Sequence, residues 1–310
     1  MFMLKADAYG HGLLQVARAT EDIADAFGVA TVQEGIRLRQ NGIDKEILVL
    51  ACLPCEMETA IDNGLIVGLS NCLQLKEIEK LIRHGRFAPY DIKLHIAVDS
   101  GMHRLGFEED EIDCVLSRLS DIGVCAQGVY SHLRDGSSRQ LKAFDRAAKK
   151  VVKAYPNAIR HIASSHSLGL AGVGYDMVRV GLFGYLGAMS VKSRVIAVRR
   201  VSKGEYVSYG NFRVKEDTDT AVIFGGYADG VQRERPSSVY IRNNKCRVLG
   251  NVCMDMCVVE CKGFVPYIGE EAVLCDGALI EDIAKERTTI EYTLMTCWKG
   301  RANRTYIGGR

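Results

Sequence analysis

Met1-Phe2-Met3-Leu4-Lys5-Ala6-Asp7-Ala8-Tyr9-Gly10-His11-Gly12 opens the chain, and its reading sets the fold. A short apolar run, Met1–Lys5, ends on a lysine. A polar turn with two glycines follows, and a helical pattern starts beyond Gly12. Seven more β-rich runs come after it: Phe27–Thr31, Glu46–Ala51, Leu65–Ser70, Ile92–Val98, Cys125–Ser131, Ile159–Ala163 and Met177–Phe183. Amphipathic stretches lie between them. Leu73, Ile78, Leu81 and Ile82 mark one helix; Ile112, Val115, Leu116 and Leu119 mark another, with acidic residues crowding its first turn. Gly42, Gly85 and Gly123 stand where helices should stop before strands. Eight strands separated by helices predict an α/β fold, a closed (β/α)8 TIM barrel over residues 1–185. An open doubly wound sheet is the alternative, but no G-x-G-x-x-G follows the first strand.

Beyond Tyr185 the helical period fades. Val195–Val201, Ala221–Phe224, Val239–Ile241, Cys246–Val248, Val252–Val259 and Ala272–Cys275 read as short strands. Asn243-Asn244 and Asp276-Gly277 are turn signals, and one short helix is expected near Glu281–Glu286. Residues 186–310 therefore form a smaller, mainly β C-terminal domain.

The 310 residues are 25% charged and 47% hydrophobic, the composition of an ordinary globular protein. A net charge of +2 gives no electrostatic case for nucleic acid or an anionic membrane. No uncharged stretch approaches the roughly 20 apolar residues of a membrane span, and no signal peptide is expected in Met1–Tyr9. Eleven cysteines, an odd number spread from Cys52 to Cys297, read as reduced thiols in a cytoplasmic protein. Cys52 and Cys55 fit C-x-x-C without a second pair, so no metal site is expected; Cys253, Cys257 and Cys261 recur as core positions.

The chemistry starts at Lys5. At the end of an apolar strand on the C-terminal rim of a barrel, a lysine is partly desolvated. Desolvation lowers its pKa and leaves a nucleophilic amine suited to a Schiff base. The tract Leu4–Gly12 closely resembles the pyridoxal-phosphate lysine motif of the alanine racemase family. More matches follow in the family's order. Ser100–Gly106 resembles the arginine segment after strand five, and Gly128–His132 the histidine segment of strand six. His161–Ser165 is similar to the family's His-Cys-Ala-Asn-Ser stretch, and Met177–Leu182 to the strand-eight arginine segment. Val207–Gly210, Gly226–Gly230 and Val252–Asp255 complete the set in the second domain.

The resemblance implies a homodimeric racemase of a small amino acid, alanine first and serine second, supplying D-amino acids for the cell wall, with pyridoxal 5'-phosphate as cofactor. It implies that Lys5 holds the cofactor and acts as base on one face of the substrate. Tyr9, Ser165 and the backbone at Gly181 and Leu182 would hold the phosphate, which agrees with the usual phosphate cradle after strands seven and eight of a barrel. His132 would lie at the pyridine ring. Arg179 would face the pyridine nitrogen; a permanently charged group there weakens the electron sink and suppresses transamination. Tyr209 of the partner subunit would be the second base, and Arg104, Tyr227, Met254 and Asp255 would line the substrate pocket.

Three departures from the family stand out. Ala97 takes the place of a lysine that orients the arginine matching Arg104. Ser164 replaces an asparagine. Gly300 aligns with a tyrosine that narrows the pocket, which opens the serine alternative. The chain also starts at the catalytic strand, whereas the family carries a further strand and helix before it. A decarboxylase of the same architecture uses an acid at the pyridine nitrogen, against which Arg179 and Tyr209 argue. A non-catalytic, single-barrel cofactor-binding protein lacks a β domain.

Overall fold

A computed structural model of the protein describes residues 1–134, 138–170, 174–233, 238–298 and 301–308; Gly300 lies outside them. The chain forms two compact units. One holds Met1–Ala8 and Gly12–Gly184; the other holds Tyr9–His11 and the chain from Tyr185 on.

In the first unit, strands and helices alternate along the chain: β1 (Phe2–Met3), α1 (Leu13–Thr20), β2 (Ala26–Val29), α2 (Val32–Gln40), β3 (Glu46–Val49), α3 (Met57–Asp62), β4 (Ile66–Leu69), α4 (Cys72–Arg83), β5 (Leu94–Ala97), α5 (Ile112–Asp121), β6 (Gly128–Tyr130), α6 (Ser138–Ala154) and β7 (Ile159–His161). The seven strands pair in sequence order, and every pair is parallel. Parallel strands joined by helices are covered on both faces, and β2, β4 and β5 are buried at every residue.

Met177–Phe183, expected as the eighth strand, contributes only two bridging residues. Arg179 bridges Ser164 and Val180 bridges Phe2. The bonds Arg179 N–H to Ala163 O (3.0 Å), Val180 N–H to Met1 O (3.0 Å) and Met3 N–H to Val180 O (2.8 Å) close the ring of strands into a barrel. The run ends there because Leu182–Gly184 winds into a 3-10 turn. The first expected strand is also shorter. The chain leaves the sheet after Met3, so Lys5 stands two residues beyond β1.

Glycines end α2, α3, α4 and α5 in the same way. Gly42, Gly64, Gly85 and Gly123 all have positive φ. At α4, Gly85 N–H bonds Ile82 O and Arg86 N–H bonds Leu81 O, the paired bonds of a Schellman stop.

The second unit is a six-stranded antiparallel sheet with β8 (Ser190–Val201), β9 (Thr218–Phe224), β10 (Val239–Ile241), β11 (Asn244–Cys246), β12 (Met256–Glu260) and β13 (Glu271–Asp276) in the order β11-β10-β13-β8-β9-β12. Its two edges meet where Val248, just past β11, bridges Val259 of β12. The β10–β11 hairpin turns on Arg242 and Asn243, both at positive φ, one residue earlier than the expected Asn243-Asn244. The expected helix is α7 (Ile280–Glu286), and α8 (Glu291–Thr296) follows it. All eleven cysteines are free thiols; Cys257 and Cys261 are buried, as core positions should be, whereas Cys253, also expected in the core, is only partly buried.

Candidate active site

Lys5 opens a turn of unusual hand. Ala6 (φ 55, ψ 51), Asp7 (φ 54, ψ 47) and Ala8 (φ 53, ψ 55) are all left-handed, and Tyr9 has φ 52. For residues with a side chain this costs about 1–2 kcal/mol each, so the surroundings must hold it. Ala6 N–H donates to Glu34 Oε1 at 2.7 Å and Ala8 N–H to Leu4 O at 2.7 Å. Asp7 then caps α1: its Oδ1 accepts from Leu13 N–H at 2.9 Å. Glu34 belongs to the capping box of α2, so one carboxylate both starts that helix and holds the lysine turn. The Lys5 ammonium is pushed below its usual pKa, first by burial, then by Arg104 and Arg179, with Glu34 opposing.

Arg179 is a cation with 5% of its surface exposed. Nη1 donates to His161 Nδ1 (2.7 Å) and His161 O (3.1 Å); Nη2 donates to Ser131 O (2.5 Å) and Ile162 O (3.2 Å). Burial lowers its pKa to about 10, which leaves it charged at neutral pH. Arginine only donates, so His161 Nδ1 must accept. The proton of a neutral His161 then sits on Nε2 and is directed at His95 Nδ1, 2.9 Å away. Burial and then Arg179 keep both rings neutral: His95 is lowered to about 4 and His161 well below its ordinary value. Tyr130 stacks on His161 with ring centroids 5.2 Å apart.

His132, just past β6, is half-buried and also lowered to about 4, by burial first and then by Arg179, Arg104 and Lys5. Gln140 from α6 fixes its segment: Oε1 accepts from Arg134 N–H (2.9 Å) and Nε2 reaches His132 O (3.4 Å). Arg104 is exposed on a loop closed by Asp99 N–H to Phe107 O and Phe107 N–H to Ala97 O, both 2.9 Å. Inside that loop, Asp99 Oδ1 accepts from the backbone of Gly101, Met102 and His103 at 2.9–3.0 Å. Burial raises the Asp99 pKa, but these three bonds outweigh it and hold the carboxyl low. Ala97 is buried beneath the loop's base, and among the described residues no acidic side chain pairs with Arg104.

Ser165 is buried, and its Oγ accepts from Gly181 N–H (2.9 Å) and Phe183 N–H (3.3 Å). The Gly181 N–H expected to hold a phosphate is thus bonded to Ser165, while the Ser165 hydroxyl proton is left to donate. Leu182 is buried in the 3-10 turn beside it. Tyr9 packs in the second unit, stacked on Tyr185 (4.7 Å between centroids) and tilted against Tyr292 (5.7 Å). Burial, then Tyr292, raises its hydroxyl pKa, so it remains a donor.

In the second unit, Tyr209 sits between two left-handed residues, Ser208 (φ 58) and Gly210 (φ 90). Asn251 N–H bonds Tyr209 O at 2.9 Å, and Ser208 Oγ donates to Asn251 O at 2.7 Å. The phenol is therefore fixed at its base and 64% exposed. Tyr227 and Met254 are also exposed, and their segments are strapped together by Tyr227 N–H to Cys253 O (3.0 Å) and Ala228 N–H to Met254 O (3.1 Å). Arg301 ties Asp255 in. Its Nη1 donates to Asp255 Oδ1 (2.7 Å), and its Nε and Nη2 form a fork on Asp229 (both 2.9 Å).

The structure therefore brings Lys5, Arg104, His132 and Arg179 within mutual electrostatic reach in the first unit. It places Tyr209, Tyr227, Met254 and Asp255 together on neighbouring segments of the second. Sequence reasoning did not single out His95, Asp99, Gln140 or Arg301. Asp99 carried a signal, since Asp-Ser-Gly is turn chemistry; the others did not.

The sequence profile described as "Alanine racemase, N-terminal domain" matches residues 1–188, and "Alanine racemase, C-terminal domain" matches residues 188–306. An alanine racemase of Desulfosudis oleivorans is 32% identical over all of this chain and 90% of its own length. One of Thermodesulfovibrio yellowstonii is 32% identical over 98% of this chain and 89% of its own. Among solved structures, alanine racemase of the D-cycloserine producer Streptomyces lavendulae superposes with a TM-score of 0.91 at 27% identity, covering all of this chain and 91% of the other.

Proposed function

The chain belongs to the alanine racemase family, and from that premise we propose which of its residues carry the reaction. That reaction is the pyridoxal-phosphate-dependent interconversion of L-alanine and D-alanine. Racemisation removes the α-proton from one face and returns one to the other, so it needs two bases.

Pyridoxal phosphate, when bound, supplies an aromatic ring that withdraws electrons from the α-carbon. The residues fit this group. Lys5, Arg104 and Arg179 gather positive charge, with Glu34 opposing it at Lys5, which suits an anionic phosphate and a substrate carboxylate. In the proposed assignment Lys5 holds the cofactor and moves a proton on one face; its lowered pKa supports this, because more of the amine is neutral at pH 7. Arg179 would face the pyridine nitrogen as a donor that keeps its charge at neutral pH. Its four bonds support the assignment, since they leave no freedom to turn away. Neutral His132 lies along the ring, Arg104 takes the substrate carboxylate, and Ser165 and Tyr9 donate to the phosphate with Gly181 and Leu182 framing it.

Tyr209 is the second base, presented by the partner subunit of a homodimer, with Tyr227, Met254 and Asp255 lining the entrance. The exposure of Tyr209, Tyr227 and Met254 on one chain supports this. The protein acts in the cytoplasm and supplies D-alanine for the cell wall. The observation that carries the whole assignment is Arg179, a buried cation locked by four acceptors at the barrel's closing strand.

The test is a chiral assay of the cofactor-loaded protein on L-alanine, D-alanine and L-serine, run beside Lys5→Ala. Racemisation of alanine in both directions, lost together with cofactor retention in the variant, is the expected result. Full activity in Lys5→Ala would remove the lysine from the reaction.

A further inference from the structure

Cys246 and Cys261 face each other inside the second unit, outside every residue assigned above. Their register follows from the backbone. Val248 bridges Val259 antiparallel, flanked by Leu249 N–H to Val258 O (2.8 Å) and Glu260 N–H to Arg247 O (2.9 Å). That makes Val248/Val259 a non-hydrogen-bonded pair, and carrying the register two residues beyond this bridge brings Cys246 to Cys261. Such pairs have Cα atoms about 4.5 Å apart, inside the roughly 4.4–6.8 Å range a disulfide spans. The two thiols are close enough for each to act on the other's ionisation. Both side chains are buried, at 1% and 2% exposure.

We propose that Cys246 and Cys261 are a built-in dithiol that closes to a disulfide when a low-molecular-weight disulfide such as oxidised glutathione is present. The order of steps follows from where the two thiols lie: Cys246 ends the three-residue β11, whereas Cys261 follows β12, which is paired along five residues with β9. The contact with Cys261 favours the thiolate of Cys246 and disfavours that of Cys261. Cys246 therefore attacks first, forming a Cys246–glutathione bond and releasing one glutathione thiolate. Cys261, losing its proton to solvent, then displaces the second glutathione from Cys246. Two thiols and one glutathione disulfide give one protein disulfide and two molecules of glutathione. The link closes across Arg247–Glu260, the segment that carries Met254 and Asp255. Burial makes the first attack wait on local opening, and β11 is a three-residue strand that offers such an opening.

The experiment incubates the full, cofactor-loaded chain in non-denaturing buffer with graded ratios of oxidised to reduced glutathione. Remaining thiols are alkylated, and unreduced peptides are mapped by mass spectrometry. The expected product is a Cys246–Cys261 cross-linked peptide that dithiothreitol abolishes. In Cys261→Ser the expected product is Cys246 carrying glutathione; in Cys246→Ser, Cys261 stays reduced. Glutathione confined to the exposed Cys55, Cys72, Cys114 and Cys125 overturns the proposal. So does a cross-link that forms only in urea, or one joining Cys246 to another cysteine. Mapping the unsubstituted chain decides the matter even if a variant fails to fold.

Discussion

Four acceptors on two nitrogens make Arg179 a structural clamp as well as a charge. Three of them are backbone carbonyls from the ends of β6 and β7, so the side chain ties the closing strand to its neighbours. Lysine keeps the charge but lacks the fork. Arg179→Lys, with three donors for four acceptors, leaves at least one buried acceptor dry, at about 1–3 kcal/mol. Denaturant unfolding is expected to show a loss of at least about 1–3 kcal/mol, with weaker cofactor retention. A variant as stable as the parent would mean that the clamp is not structural. The histidines beneath it set the acid limit. His95 and His132 are lowered to about 4 and His161 well below its ordinary value, against about 6.5 in an unfolded chain. Below that value the unfolded chain binds protons that the folded chain refuses, so stability is full above pH 6.5 and falls as pH drops toward 4. Unfolding midpoints measured from pH 7 to 5.5, above most carboxylate titration, should fall steadily, and His95→Gln should flatten the slope by about one proton's worth. A flat profile would show that these rings already carry charge.

At the scale of elements, two glycines with positive φ separate fold from function. Gly85 ends α4, and a Cβ there meets nothing within 4 Å. Gly85→Ala then costs only the left-handed conformation, about 1 kcal/mol, and racemase activity should be unchanged. Gly106 closes the Arg104 loop, where a Cβ would stand 2.6 Å from Asp99 N and Val98 C. Gly106→Ala must displace the loop, so kcat/KM for alanine should drop while the melting temperature moves little more than in Gly85→Ala. Equal activity in both variants would detach the loop from substrate binding. The helix stops were legible in the sequence because glycine after a helical period has one common use. The alternation of strands and helices was legible for the same reason, since two periods alternate along the chain. The eighth strand was misjudged because Met177–Phe183 is apolar and β-branched, yet pairing ends after Val180 where the chain turns. The left-handed turn after Lys5 left no trace. Ala6, Asp7 and Ala8 are ordinary residues, and what holds them is Glu34, distant in sequence. Lys5, Arg104, His132 and Arg179 could be named because their motifs are local. His95 could not, because a histidine in an apolar strand reads as a satisfied core residue until its partner, His161, is in view.

At the scale of the whole molecule, the proposed division of labour puts one base in each unit: Lys5 in the first, Tyr209 in the second. If the partner's Tyr209 completes each site, the two defects can be carried by different chains. Consider a heterodimer of a Lys5→Ala chain and a Tyr209→Phe chain. One of its sites combines the lysine-less barrel with the phenol-less β unit and carries both lesions. The other combines the intact Lys5 of the second chain with the intact Tyr209 of the first and carries none. Two-fold symmetry makes the two sites equivalent in the parent, so the heterodimer should recover about half of the parental activity. Each variant homodimer should have almost none. The two chains are to be co-expressed with different affinity tags and purified on both, so that every molecule assayed holds one of each. If both bases came from the same chain, each site in the heterodimer would lack one of them and no activity would return. A doubly tagged heterodimer that holds cofactor on its Lys5-bearing chain and remains inactive would therefore place Tyr209 in its own chain's site, or outside the reaction.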